Sequence, residues 1–262
     1  MSNGTESLFW NESWRGADKQ QIEKYIRYFD FKPDAIIGEM SLSKAKKVCD
    51  AGCGCGVYAL KLAMNGFNVS GFDISGDAID IARKLAADAK VAAEFTTASV
   101  TATEYEDGYF DAVVCRDVID HMKKAEGKAA VKELLRITKQ GGIVYITLDG
   151  TDEEYENEPH IINEDGDYMF IDGKWKGMVF HPYNEHEVKE LDSQGATFMT
   201  EKIGDGMRVK IIKRKDSRSA AGAGPPAGRL HRPNRCQKIL RDACPQELTA
   251  FSKNFLLNII CV

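Results

Sequence analysis

The residues able to do chemistry concentrate between Val48 and Ser75. Val48-Cys49-Asp50-Ala51-Gly52-Cys53-Gly54-Cys55-Gly56 reads as a strand end, an acid and a glycine-rich turn that runs straight into a helix. Glycine at 52, 54 and 56 leaves the main chain free to bend sharply and to approach a ligand closely. The helix that follows offers unpaired N–H groups and the positive end of its dipole. Such turns also cradle dinucleotide pyrophosphates, so spacing decides. The dinucleotide fingerprint would place its third glycine at position 57, which is Val57. The Gly-Lys-Ser/Thr ending of a P-loop is missing too. Asp50 suits instead a ligand that carries an ammonium group. Gly71-Phe72-Asp73-Ile74-Ser75 supplies a second carboxylate, 21 residues after Gly52. At the end of a second strand, Asp73 is placed to accept both hydroxyls of a ribose.

Further along, Asp117, Asp120 and His121 can supply a base or ligate a cation. Imidazole titrates near neutral pH, which makes His121 the leading candidate for a general base. The competing reading is a loop and helix start with Asp120 as its cap. Cys53, Cys55 and Cys115 make an incomplete tetrahedral set, so small, tightly packed residues are expected there and no metal site. Phe9, Trp10 and Trp14 can form a lid, since aromatic rings stack on adenine and on sulfonium cations. Their rival role is to pack an N-terminal helix on the sheet. His181 and Tyr183 are either substrate contacts or parts of a surface turn.

The elements that must position these groups follow from pattern. Short apolar strands are expected at 46–50, 67–73, 93–98, 110–115 and 143–148. Helices are expected at 57–66, 78–89 and 126–138, with a turn at Gly141–Gly142. Alternating strands and helices imply an α/β fold with a doubly wound, mostly parallel sheet. Ile22, Ile26 and Phe29, with Tyr25 beside them, form the stripe of an N-terminal helix. The acidic stretch 151–167 reads as a loop, 168–180 as a hairpin turning at Asp172–Gly173, and 184–194 as a short helix. Residues 197–203 and 207–214 read as an antiparallel hairpin that closes the sheet.

The glycine turn, Asp73 and the strand-four segment FDAVVCRDVIDHM together resemble the class I S-adenosylmethionine-dependent methyltransferases, in particular the small-molecule enzymes. The likeness covers roughly 45–150 and loosens to about 214. It implies a Rossmann-like fold with S-adenosylmethionine as cofactor. It also implies that Asp50, Ala51, Gly52, Cys53 and Gly54 hold the methionine part, and that Asp73 and Ile74 lie at the ribose. Cys115, Arg116 and Asp117 would pass beside the cofactor. His121, with Trp10, Trp14, His181 and Tyr183, would face the substrate. The family often has an acid after the third strand to bind the adenine amino group. Here that place reads Thr97-Ala98-Ser99-Val100, so Ser99 or the Val100 backbone would take over.

The bulk composition bounds the rest. Hydrophobic residues make up 43% of 262 and charged residues 29%, as in a globular protein. The net charge of −5 disfavours nucleic acid as a partner, and no apolar run is long enough to span a bilayer. The first residues lack a basic start and an apolar stretch, so a cytoplasmic location is expected. Seven cysteines with no such leader read as thiols. The expected organisation is a helical lid at 1–44 and a methyltransferase domain at 45–215, with a substrate-side insertion at about 151–185. A linker and basic tail follow at 216–262, either foreign to the working enzyme or a docking segment. The expected function is methyl transfer to a small molecule; the alternative is a protein that binds S-adenosylmethionine without turnover. Acceptor and oligomeric state are not legible.

Overall fold

Five strands carry the parallel part of the sheet: β1 (Lys47–Ala51), β2 (Asn68–Asp73), β3 (Glu94–Thr97), β4 (Phe110–Arg116) and β5 (Thr138–Leu148). The computed structural model describes residues 3–17, 20, 22, 33–151, 153–191 and 196–214. Tyr25, Ile26 and Phe29 of the expected stripe and the tail 216–262 lie outside the described residues. Two further strands, β9 (Thr197–Ile203) and β10 (Gly206–Ile212), complete a seven-stranded sheet ordered β3-β2-β1-β4-β5-β10-β9. β10 pairs antiparallel with β5 and β9, so the closing hairpin forms as expected.

The inner strands read as apolar runs because both faces are covered. Ala112 and Val114 of β4 enter one core cluster, with Val48 and the Val57–Met64 helix. Val113 and Cys115 enter the other, with Cys49, Ala51 and the Lys124–Ile137 helix. Chain order reverses between β1 and β4, and the crevice at the carboxyl ends of those strands is where such sheets bind ligands.

Two expectations need correction. The Gly141–Gly142 pair does not sit in a turn ahead of the strand. β5 already begins at Thr138 and carries the pair, with a register shift against Phe110 and Ala112 of β4. Gly141 adopts a positive φ of 78° there, which its bare Cα permits. The acidic stretch is not a plain loop either. It contains a helix at Glu153–Asn157 and the strand β6 (His160–Ile162). β6 pairs with β7 (Tyr168–Phe170), which pairs with β8 (Val179–Phe180), giving a small antiparallel sheet between β5 and β9.

Candidate functional site

The glycine turn is held in place by main-chain bonds. The N–H groups of Gly52 and Cys53 both donate to the Phe72 carbonyl, at 2.8 and 2.9 Å, which ties the turn to β2. Gly54 donates to Oδ2 of Asp73 at 2.8 Å, and Ser75 donates to Oδ1 at 2.9 Å. Asp73 thus links the turn to the start of the Gly76–Ala89 helix, which Ser75 caps through its Oγ. Ala98 donates to the Asp73 carbonyl, so the segment after β3 lies beside it. Ser99 makes a tight turn with Ala102, and its hydroxyl bonds that of Thr101, while the Val100 side chain packs into the core.

The two carboxylates differ in electrostatics. Burial pushes Asp50 up to about 7; the Arg116 guanidinium opposes the rise and the Asp73 charge adds to it. Its Oδ2 is buried with no hydrogen-bond partner among the described residues. Burial also raises Asp73, but the N–H groups of Ser75, Gly54 and Ile74 work against it.

The N-terminal helix, Asn3–Arg15, lies over this turn. A side chain at Gly54 would meet the Trp14 ring at 2.7 Å, and φ there is +52°. Asn11 Oδ1 accepts from Ser75 Oγ at 2.8 Å, and Arg15 pairs with Asp77 at 3.1 Å. Trp14 therefore packs against the bare face of the turn.

Beyond β4 the chain turns back sharply. Asp117 has φ of 54°, uncommon for a residue with a side chain and worth about 1–3 kcal/mol of strain. Thr147 on β5 holds it: its hydroxyl donates to Asp117 Oδ1 at 2.6 Å, and its carbonyl accepts from the Asp117 N–H. A short turn of helix at Ile119–His121 follows. His121 is buried, with Trp10 at 5.5 Å and Phe180 at 5.8 Å between ring centroids. Burial lowers it to about 4, although the Asp117 charge pulls the other way. Burial and Asp117 together raise Asp120.

Residues 48–142 match the sequence profile of a family described as a methyltransferase domain. A relative named ubiquinone biosynthesis O-methyltransferase, from Pectobacterium carotovorum, is 30% identical over 148 residues, covering 50% of this chain and 61% of that protein. One of the same name from Ralstonia nicotianae is 28% identical over 152 residues, covering 52% and 63%. The chain thus spans about three fifths of the length of these relatives. A crystal structure from Pyrococcus horikoshii superposes with a TM-score of 0.58 at 23% identity, over 76% of this chain and all of that one. An S-adenosylmethionine-dependent methyltransferase from Methanosarcina mazei gives 0.57 at 23% identity, over 71% of this chain and all of that one. At that identity the structural likeness is one of fold. Over residues 48–142 the chain is thus similar to a methyltransferase domain.

The fold brings Asp50, the glycine turn, Asp73, Arg116 and Asp117 to one end of the sheet. His121, Trp10 and Phe180 meet close by. His181 and Tyr183 sit deeper, both buried, with their rings 4.4 Å apart. Nδ1 of His181 lies 2.9 Å from Asp167, within hydrogen-bond distance but outside its angular range. The His181 N–H donates to the Asp120 carbonyl at 2.7 Å. Several neighbours of the site went unread in the sequence. Asp149, just past β5, donates its N–H to Oδ2 of Asp120; its place at a strand end was the available signal. Tyr58 bonds Asp34 through its hydroxyl and takes the Arg116 guanidinium on its ring face at 4.5 Å. A cleft runs from these two past Asp117 and Thr147 to Met207. Tyr155, Trp175 and Phe180 form an aromatic cluster with Phe9 and Trp10, a pairing of distant segments that no local pattern announces. Among the described residues no helix is long and apolar enough to cross a membrane.

Proposed function

We propose that the protein transfers a methyl group from S-adenosylmethionine to a small-molecule acceptor. The observation that carries this reading is the Asp50–Gly56 turn at the β1/β4 switch point, with Asp73 bonded to Gly54 and Ser75 beside it. The turn presents main-chain groups and a buried carboxylate to the methionine part. Asp73 keeps lone pairs for the ribose hydroxyls. Ser99 and the Val100 backbone lie on the adenine side.

The reaction is an in-line displacement. The acceptor's lone pair forms the new bond to the methyl carbon as the carbon–sulfur bond breaks. Sulfur keeps the electron pair, S-adenosylhomocysteine leaves, and an acceptor O–H or N–H gives up its proton. Alignment of nucleophile, carbon and sulfur supplies much of the acceleration. His121, neutral at pH 7 and facing the rings of Trp10 and Phe180, is the candidate contact to the acceptor. The aromatic wall behind it suits an acceptor with an apolar or aromatic body. The named relatives, O-methyltransferases of ubiquinone biosynthesis, support oxygen as the acceptor atom.

The test is a coupled assay for S-adenosylhomocysteine release over a panel of phenols, catechols and amines. Acceptor-dependent release is expected. Binding of S-adenosylmethionine with no release for any acceptor would favour a sensor without turnover.

A further inference from the structure

The end of the sheet holds a cluster that methyl transfer alone does not explain. Asp120, His121 and Asp149 each offer a ligand atom, and these atoms all lie within 4.8 Å of one another. Asp120 is fully buried; its Oδ2 accepts the Asp149 N–H, and its Oδ1 has no partner among the described residues. His121 is 4% exposed, and neither of its ring nitrogens has a hydrogen-bond partner among the described residues. Its ring neighbours, Trp10 and Phe180, pack against it edge-on or tilted.

Buried polar atoms are nearly always bonded, so three orphans on adjacent residues call for a missing partner. Two carboxylates and an imidazole converging on one point carry a charge that a divalent cation balances. The donor set is one nitrogen and two oxygens. First-row transition ions accept such a mixed set, whereas magnesium and calcium prefer oxygen alone. Three protein ligands also leave coordination positions open.

We propose that Asp120, His121 and Asp149 form a site for one divalent first-row transition cation at the carboxyl ends of β4 and β5. The attachment of the ion stands on this geometry. Its role rests on the proposed methyl transfer: an open position would hold an acceptor oxygen and ease loss of its proton. His121 is then a ligand and not the base.

Manganese(II) is the probe, because the chain's seven cysteines would confuse a zinc titration. Water-proton relaxation is followed as the ion is added to the full chain at neutral pH. One saturable ion per chain is expected. Asp149→Asn and His121→Gln should each weaken it about tenfold or more, with thermal melts confirming that the variants fold. The exposed Asp88→Asn should leave it unchanged. No saturable binding up to millimolar manganese, or equal affinity in wild type and Asp149→Asn, overturns the site, and the orphan atoms are then served by water. Calorimetry with S-adenosylmethionine separates the two readings. Nucleoside binding without manganese overturns the ion site alone. Manganese binding without the nucleoside overturns the methyl-transfer reading and leaves the ion site standing.

Discussion

Asp50 is only about half ionised near neutral pH, because burial holds it at about 7. In the role proposed for Asp50, the carboxylate holds the ammonium of S-adenosylmethionine, so binding near pH 7 releases about half a proton. A raised acid loses this capacity as pH falls. Affinity should therefore drop about fivefold from pH 7 to pH 6, well below the titration of the ligand's own amine. Calorimetry across that range checks it, and Asp50→Asn should flatten the dependence. Asp73 acts differently, since its oxygens already brace the turn. Asp73→Ala should weaken S-adenosylmethionine by about tenfold or more, as expected for losing hydrogen bonds to a charged group. Unchanged affinity in the same titration would remove its assigned role. Both acids were legible in the sequence because glycine spacing and a strand-end acid are local signals. Asp149 was not, because its closeness to Asp120 arises only when β4 and β5 pair.

The elements around the turn are fitted closely to one another. Gly56 stands at the start of the Val57–Met64 helix with φ of 77°, and a side chain there would meet Ala82 at 2.7 Å and Phe95 at 2.8 Å. Gly56→Ala should cost about 1–3 kcal/mol from crowding, beyond the strain of its backbone, and lower the melting temperature. The helices Val57–Met64, Gly76–Ala89 and Lys124–Ile137 and the strands β1 to β4 were legible to within two residues, from helical periodicity and apolar runs, whereas β5 begins five residues early and the helix Ala35–Leu42 went unread. β6 was not. Ile161 and Ile162 are both exposed, and β7 alone supplies its pairing, so no buried face marks it in an acidic stretch.

Across the whole molecule, one buried acid helps tie the segment between β5 and β9 to the rest of the fold. Asp167 accepts from the Lys124 N–H at 2.9 Å and from Asn163 Nδ2 at 2.7 Å, and it stands against His181. His181 in turn supports the Asp120 carbonyl. Asp167→Ala leaves buried donors unmatched and should destabilise the fold by about 1–3 kcal/mol. It should lower the transfer rate more than S-adenosylmethionine affinity, because this tie reaches Asp120 and not the glycine turn. Melting curves and kinetics with saturating nucleoside separate the two effects. The overall α/β architecture and closing hairpin could be read ahead because periodicity is written along the chain. The link of that acid to the sheet-bearing part joins Lys124 and Asp167, 43 positions apart, which periodicity does not record.

Trp14 resting on the bare face of Gly54 has a kinetic consequence. With the nucleoside seated on that face as proposed, the indole would have to swing away first, making uptake a two-step event with a ceiling on its speed. In stopped-flow fluorescence the observed rate should level off at high concentration. With Trp14→Ala, followed by the ligand's own absorbance or by a competitor, it should climb in proportion to concentration.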